Sequence, residues 1–485
     1  MAISKAGGIR GWLSGFLIAE IGLALALGGG EGLWADAFIQ LCSLPLLGLA
    51  ILSLQPKRLT SLGQGSLGLL ACVALLPVLQ LIPLPPWIWA NLPGRTPFIA
   101  AYQAAAMGLP WEPLSLDPGV TWLSFLSLLP AISVFLALLA TPLKTRRTVS
   151  LVILGFALVG ALLGVAQLAG GSESELRLYN GNTNAGDAVG FFANRSHHAA
   201  FLTIAIPLAT VWVVDVARLR TSQSKFWLAM LLLGYAVLLL GLGMAHSRAG
   251  LILGFVAGFL SVAIAWRSKT ARDGRERRKL TFFFVCANLL GLALAFQFGF
   301  VQLANRLENE SALADLRRPI ASVTMHAIDA NLPMGTGFGA FEPVYQMFEP
   351  PALAIPEYIN HAHDDWLELV LGGGIPALTL LLLYLLWYFY ATYEAWREGD
   401  GSGVDRPLAR AGSIVVGLLL LHSTVDYPLR MTSLMVVFAV ANALMIAPSM
   451  EALSLGAKSA RQLRPAGIGR RPRPANRLFS IEILS

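Results

Sequence analysis

NHAHDDWLELVLGGGIPALTLLLLYLLWYFY, Asn360 to Tyr390, decides how the rest of the chain is read. It sets two histidines (His361, His363), three carboxylates (Asp364, Asp365, Glu368) and Trp366 on the lip of a long apolar run. About 20 apolar residues are what a helix needs to cross a hydrocarbon layer. Ionisable groups so close to such a run are costly and point to function. If the segment is helical, Asp364 and Glu368 are four apart and share a face, while His363 lies five before Glu368. The GGG at 372–374 loosens the helix, and Pro376 suits the start of a new one. The stretch therefore reads as a polar half-turn at the mouth of a membrane helix.

The remaining composition agrees. The 485 residues are 56% hydrophobic and only 13% charged, with mean hydropathy +0.65. That charge content is about half of the ~25% usual in soluble domains. Cys42, Cys72 and Cys286 all lie in apolar runs, so neither a disulfide framework nor a zinc site is expected. The first apolar run leads into further membrane sequence without an A-x-A site, so no cleavable signal peptide is expected. Apolar spans fall at about 11–29, 35–54, 64–86, 121–140, 148–170, 197–217, 226–246, 249–266, 280–301, 364–392, 411–427 and 430–448. The expected fold is an all-α polytopic integral membrane protein of about 12 transmembrane helices with one large, partly helical periplasmic loop. Its parts are a membrane domain over 1–301 (about nine helices, with smaller outer loops at 87–120 and 171–196), the large loop 302–362, a membrane domain over 363–449 (about three helices), and a basic tail, 450–485, expected to be cytoplasmic and disordered.

Basic residues orient the spans. With the N-terminus inside, 27 of the 35 Lys and Arg fall on the cytoplasmic side, including seven in 267–279 and seven in the tail. Both termini are then cytoplasmic, and the net charge of +7 is a topology signal. A nucleic-acid partner is not expected, because the basic runs are short and lack interleaved aromatics. The other eight basic residues are all arginine: Arg95, Arg177, Arg195, Arg248, Arg306, Arg317, Arg318 and Arg430. All seven histidines also fall on the outer side: His197, His198, His246, His326, His361, His363 and His422. Arginine recognises phosphate and carboxylate as a fork, and histidine titrates near neutral pH. The pattern suggests a site for an anionic substrate at the outer face. Pairing of these arginines with outer acids is the plainer alternative.

The outer loops differ in kind. Residues 87–120, rich in Trp and Pro, suit an interfacial loop or surface-lying helix. In 171–196, Arg195, His197 and His198 enter a span that Asn194 or Ser196 can cap. HSRAG at 246–250 puts Arg248 in a very short turn between two spans, where it faces a wet cavity or binds something. Residues 304–330 read as an amphipathic helix. GTGFGAF at 335–341 is a glycine turn; no strand precedes it, which argues against dinucleotide binding.

Four stretches in this order resemble the O-antigen ligase and O-antigen polymerase superfamily of bacterial envelope glycan enzymes: FANRSHHAAFL (192–202), HSRAG (246–250), LRRPIASVTMHAIDANLPMGTGFGAF (316–341) and HAHDDWLELVLGGGIP (361–376). HSTVDYPLR (422–430) looks like the tail of many members. Members often carry Asn then Asp where this chain has Asp364–Asp365. The resemblance implies a glycosyltransferase that moves a glycan from an undecaprenyl-diphosphate carrier to an acceptor glycan or glycolipid, at the periplasmic face of the bacterial inner membrane. It implies His363 as base for the acceptor hydroxyl. It implies Arg195, Arg248 and Arg317 or Arg318 as partners of the departing diphosphate. Asp365, His361 and Asn194 are supporting residues. No cofactor and no metal are implied; adjacent Asp364 and Asp365 point different ways on a helix and make a poor metal pair. Ligase and polymerase are not distinguished. A polytopic transporter, or a non-catalytic envelope-glycan assembly protein, is the alternative. A transporter predicts internal repeats and midplane charges, which the chain lacks, and a scaffold has no need of an arginine in the Arg248 turn.

Overall fold

The computed structural model describes residues 2–30, 32–179, 184, 186–217, 219, 221–267, 278, 281–291, 293, 311–351, 359–398 and 403–449, without side chains for 2–10 and 311–316. The expected disordered tail, most of the basic 267–279 loop, Arg306 and much of the 280–301 span lie outside the described residues.

Helices account for nearly all the described structure. In order they are α1 (Ala2–Leu27), α2 (Leu33–Ser53), α3 (Ser61–Gln80), α4 (Pro86–Trp89), α5 (Thr96–Ala104), α6 (Pro118–Ser127), α7 (Leu129–Ala140), α8 (Leu143–Ala169), α9 (Arg195–Ala217), α10 (Ser222–Met244), α11 (Arg248–Trp266), α12 (Thr281–Gly291), α13 (Ser311–Asn331), α14 (Phe341–Phe348), α15 (Asp365–Trp396), α16 (Arg406–His422) and α17 (Thr432–Leu444). The only sheet among the described residues is a two-residue antiparallel pair, β1 (Pro83–Leu84) with β2 (Glu112–Pro113). Eight spans among the described residues are long and apolar enough to cross a membrane: α2, α3, α6–α7, α8, α9, α10, α11 and α15. The chain is thus an all-α polytopic membrane protein. The other four expected spans are shorter here: Gly11–Leu27 of α1, the described part of α12, α16 and α17. The span read over 411–427 ends as helix at His422, and residues beyond it leave the helix axis.

Local chemistry explains the boundaries. Thr221 and Ser224 form a reciprocal capping box at the start of α10. Asp117, Ser247 and Asp405 cap α6, α11 and α16 through their side chains. Pro130, in the first turn of α7, accompanies the break between α6 and α7 at Leu128.

The core is centred on α9, which is apolar all round and buried along most of its length against α8, α10, α11 and α16. α1, α2, α7 and α17 pack as a second group, and α17 also joins α16. α3 and α15 run side by side with outward faces of Leu75, Leu79, Leu382, Leu386 and Phe389 exposed. Such an apolar face is stable where hydrocarbon covers it.

One end of the bundle collects arginines that bind backbone. Buried Arg146 donates to Leu138 O (2.8 Å), Ala443 O (3.0 Å) and Ile446 O, so one guanidinium caps the C-termini of α7 and α17. Arg147 pairs with Asp215 and Asp405, joining α8, α9 and α16. Arg410 donates to Ala395 O and Arg267 O. These residues, read from the sequence as a topology signal, also fasten helix ends.

The opposite end carries a smaller core, in which Ile320, Val323, Ala327 and Ile328 of α13 and Phe341, Val344 and Tyr345 of α14 pack on Ala362 and Leu371. It is joined to α15 at a kink. Gly374 adopts φ 56°, ψ −147°, which interrupts the helix. The loop after α13 takes up the freed groups. Thr336 N–H donates to Leu371 O (2.9 Å), Gly337 N–H to Gly372 O (2.9 Å), and Ile375 N–H to Pro333 O (2.8 Å). Gln80 Nε2 donates to Gly372 O (2.8 Å), and Gln80 Oε1 accepts from Phe338 N–H (3.1 Å). Non-helical backbone at this depth is tolerated only where protein satisfies it. The two glycine motifs, GTGFG and GGG, are halves of one joint. The helix expected over 304–330 is present from Ser311; 304–310 lie outside the described residues. Residues 83–113 form α4, α5 and the β pair, with Trp87 and Trp111 exposed and Trp89 buried on Pro110 O.

Candidate active site

The site is built on the start of α15, which differs in one respect from the sequence expectation. The helix begins at Asp365, so both histidines precede it. Asp364 does not share a face with Glu368. It caps the helix, accepting from Trp366 N–H (2.8 Å) and Leu367 N–H (3.0 Å). The residue paired with Glu368 is His361, not His363 (Nδ1 to Oε1, 3.0 Å).

Two of the three carboxylates act as fasteners. Asp365 accepts from Ser423 Oγ (2.8 Å) and Leu429 N–H (3.2 Å) and lies 3.4 Å from Arg430 Nε. Glu368 accepts from Ala362 N–H (2.9 Å) and lies 3.4 Å from Arg430 Nη2. Burial pulls the Arg430 pKa down, but Glu368 and Asp365 outweigh it and hold the value above its ordinary level, so the group stays cationic. Arg430, counted from the sequence among the outer cations, is neutralised here. The three residues bind the strap 361–363 and the loop 423–430 to the first turns of α15.

The strap and loop together make a histidine cluster. His363 sits at φ 53°, a left-handed conformation rare outside glycine and typical of functional turns. Its Nδ1 lies 3.4 Å from Asp426 Oδ1. Asp426 Oδ1 also accepts from Tyr427 N–H (3.1 Å), and Oδ2 lies 4.0 Å from His422 Nε2. Asp426 is 1% exposed. Burial alone would raise its pKa; the hydrogen bond from His363 and the charges of His197, His422 and His363 hold it well below the usual carboxylate range. The ring of Tyr427 touches three imidazoles, with centroids 4.1 Å from His361, 4.9 Å from His197 and 5.1 Å from His363. His197 comes from α9, His422 from the end of α16. Of the four histidines, only His363 is substantially open, with 30% of its side chain exposed against 18% for His361; His197 and His422 are each 1% exposed. With Nδ1 turned to a buried carboxylate, His363 offers Nε2 outward. That is the arrangement of an oriented general base.

The expected arginines fall into three settings. Arg195 is the first residue of α9, which Asn194 caps by accepting Ser196 N–H (2.8 Å). Its Nη1 binds Asp187 Oδ2 at 2.7 Å, and 24% of the side chain stays exposed. His197, two residues on, reaches Tyr427, so the first turn of α9 serves the arginine and the histidine cluster together. Arg248 begins α11 one short turn after α10 ends, and its side chain is exposed. Arg317 and Arg318 are both exposed on α13. The charge of Arg317 is felt at His422; no hydrogen bond or ion pair brings Arg317 or Arg318 to the cluster among the described residues. Thus His363, His361 and Asp365 meet, Arg195 and Arg248 adjoin through α9, and Arg317 and Arg318 lie on the exposed side of α13. Among the described residues no three His, Cys, Asp or Glu side chains are disposed to hold a metal ion.

Sequence reasoning gave no role to Asp426, Tyr427, Asp187 or His246. The first two lie in HSTVDYPLR, where a charged residue directly after an apolar run was a usable signal. Asp187 lies in a loop with no periodicity to mark it.

Residues 233–382 match the family model described as O-antigen ligase. The match spans under a third of the chain and supports a likeness to the O-antigen ligase and polymerase superfamily. The matched segment runs from within α10 to within α15, and so contains Arg248, Arg317, Arg318, His361, His363 and Asp365. Arg195 and Asp426 lie outside it, brought in by the fold. The superfamily points to lipid-linked glycan substrates and a membrane location. No match was found among curated proteins.

Proposed function

We propose that this O-antigen ligase-like protein is a glycosyltransferase moving a glycan from undecaprenyl diphosphate to an acceptor sugar at the periplasmic face of the bacterial inner membrane. The acceptor is a lipid-linked repeat unit or lipid A core. The observation that carries this is His363, open to solvent and held from behind by the buried, ionised Asp426. His363 Nε2 takes the proton of the acceptor hydroxyl as its oxygen attacks the anomeric carbon. The anomeric carbon–oxygen bond to the carrier breaks, and the diphosphate leaves with the electron pair. Arg195, Arg248 and Arg317 receive the negative charge, where a fork donor is worth most. Glu368, Asp365 and Arg430 hold the strap that aims His363. The chemistry needs no metal. The distribution of basic residues, 27 of 35 on the side read as cytoplasmic, supports an orientation with this end of the bundle outward.

The test is a strain deleted for the protein and complemented with variants. The deletion should accumulate lipid-linked glycan. General-base removal costs about 10²- to 10⁴-fold in rate, so His363→Ala should fail to relieve the accumulation although it reaches the membrane. His361→Ala should retain most transfer. Equal loss in both, or more than about a tenth of wild-type transfer in His363→Ala, removes His363 from the role of base.

A further inference from the structure

Asp187 is a fully buried carboxylate, 1% exposed, in the short segment before α9. Both its oxygens are engaged by bases from different elements: Oδ2 by Arg195 Nη1 (2.7 Å) and Oδ1 by His246 Nδ1 (2.9 Å). Its segment is pinned from three sides. Ala188 N–H donates to Met244 O at the end of α10 (3.2 Å), Val189 and Gly190 N–H donate to Gln167 Oε1 of α8 (3.2 and 2.8 Å), and Arg177 Nη2 donates to Asp187 O (3.3 Å). His246 stands at φ 48°, a conformation that a non-glycine residue holds only when its surroundings impose it. Two residues later Arg248 begins α11, and between them Ser247 Oγ donates to Ser196 Oγ of α9 (3.3 Å).

A carboxylate beside arginines that receive a diphosphate repels the ligand, so charge alone gives it no reason to be there. Its geometry does. We infer that Asp187 is a positioning residue: it fixes Arg195 directly, and through His246 it fixes the turn that aims Arg248, making one prenyl-diphosphate platform from two helix starts. The inference rests on the proposed role of Arg195 and Arg248 toward the diphosphate.

The two explanations predict opposite signs. Binding of farnesyl diphosphate is measured to the purified full-length protein in lipid nanodiscs. Loss of a carboxylate by simple electrostatics tightens binding of an anion. Loss of a positioning group weakens it, here by about tenfold for Asp187→Asn. Equal or tighter binding by Asp187→Asn overturns the inference. Should that variant fail to fold, His246 supplies the same test. His246→Gly accepts the positive φ but removes the tether and should weaken binding similarly. His246→Asn also tolerates positive φ and returns a donor near the place of Nδ1, so it should recover most of the affinity. Wild-type affinity in His246→Gly overturns the inference. Failure of the underlying reading looks different: wild-type binding that Arg195→Ala and Arg248→Ala both leave unchanged removes the platform itself, whatever Asp187 does.

Discussion

At the scale of single residues, the site is a set of basic groups held in place by buried acids. Asp426 decides the orientation of His363, and Asp426→Asn should lower transfer by about 10²- to 10⁴-fold with little effect on donor binding, because the imidazole loses the partner that fixes its outward nitrogen. The same change carries a pH signature. A carboxylate whose folded pKa lies below its unfolded value of about 3.9 contributes stability that is fully present above that value and is lost as pH falls through the folded pKa. The gap in thermal midpoint between wild type and Asp426→Asn should therefore stay level from pH 8 to about 5 and narrow only below about 4; a gap that closes between pH 7 and 5 would show that Asp426 is not held ionised by its histidines. The proposed role of Arg248 uses its fork as well as its charge, so Arg248→Lys should be impaired and Arg248→Ala worse. Transfer by Arg248→Ala at the wild-type level, with equal protein in the membrane, would remove this arginine from the mechanism. His363 and the arginines stand out in the sequence as candidates because ionisable residues beside membrane spans contrast with an apolar background. Asp426 and Asp187 were not, because their meaning lies in contacts 63 and 59 positions away, to His363 and His246. The shared face expected for Asp364 and Glu368 is absent for a local reason: Asp364 caps the helix instead of lying within it.

At the scale of elements, the joint between α15 and the loop after α13 sets where the strap sits. Most helices were legible from apolar runs alone, since each span is set by the bilayer more than by its neighbours. The joint was not, because GTGFG and GGG are each weak signals until they are seen to exchange hydrogen bonds. Gly337 shows how tightly it is closed. It lies at φ 95°, and a Cβ there would come within 2.3 Å of Ser115 Oγ and 2.8 Å of Ser115 Cα. Gly337→Ala should cost about 1–3 kcal/mol from the strained backbone alone and lower transfer as the first turns of α15 shift. Gly155, in α8 with open space around its Cβ position, is the matched control. Gly155→Ala should be neutral or stabilising by up to about 1 kcal/mol, as alanine favours helix. Thermal unfolding in detergent with equal midpoints for the two variants would mean that the joint is not a constraint on the fold.

At the scale of the whole molecule, two ends of different chemistry remain to be assigned to two sides of a membrane. One end has Arg146, Arg267, Arg406 and Arg410 on backbone carbonyls and Arg147 between Asp215 and Asp405; the other has the histidines, with arginines beside them. The proposed topology has the first end in the cytoplasm; the distribution of basic residues along the sequence supports it, since loops rich in Lys and Arg resist translocation. The chemistry proposed for the second end requires it to face the compartment where the lipid-linked glycan is presented. Gln346 on α14 and Lys57 between α2 and α3 are exposed reporters of the two ends. In a background lacking Cys42, Cys72 and Cys286, Gln346→Cys should react with a membrane-impermeant maleimide in cells whose outer membrane has been permeabilised. Lys57→Cys should react only after the inner membrane is opened. The reverse pattern would place His363 in the cytoplasm, away from a periplasmic donor, and would overturn the transfer reaction along with the topology.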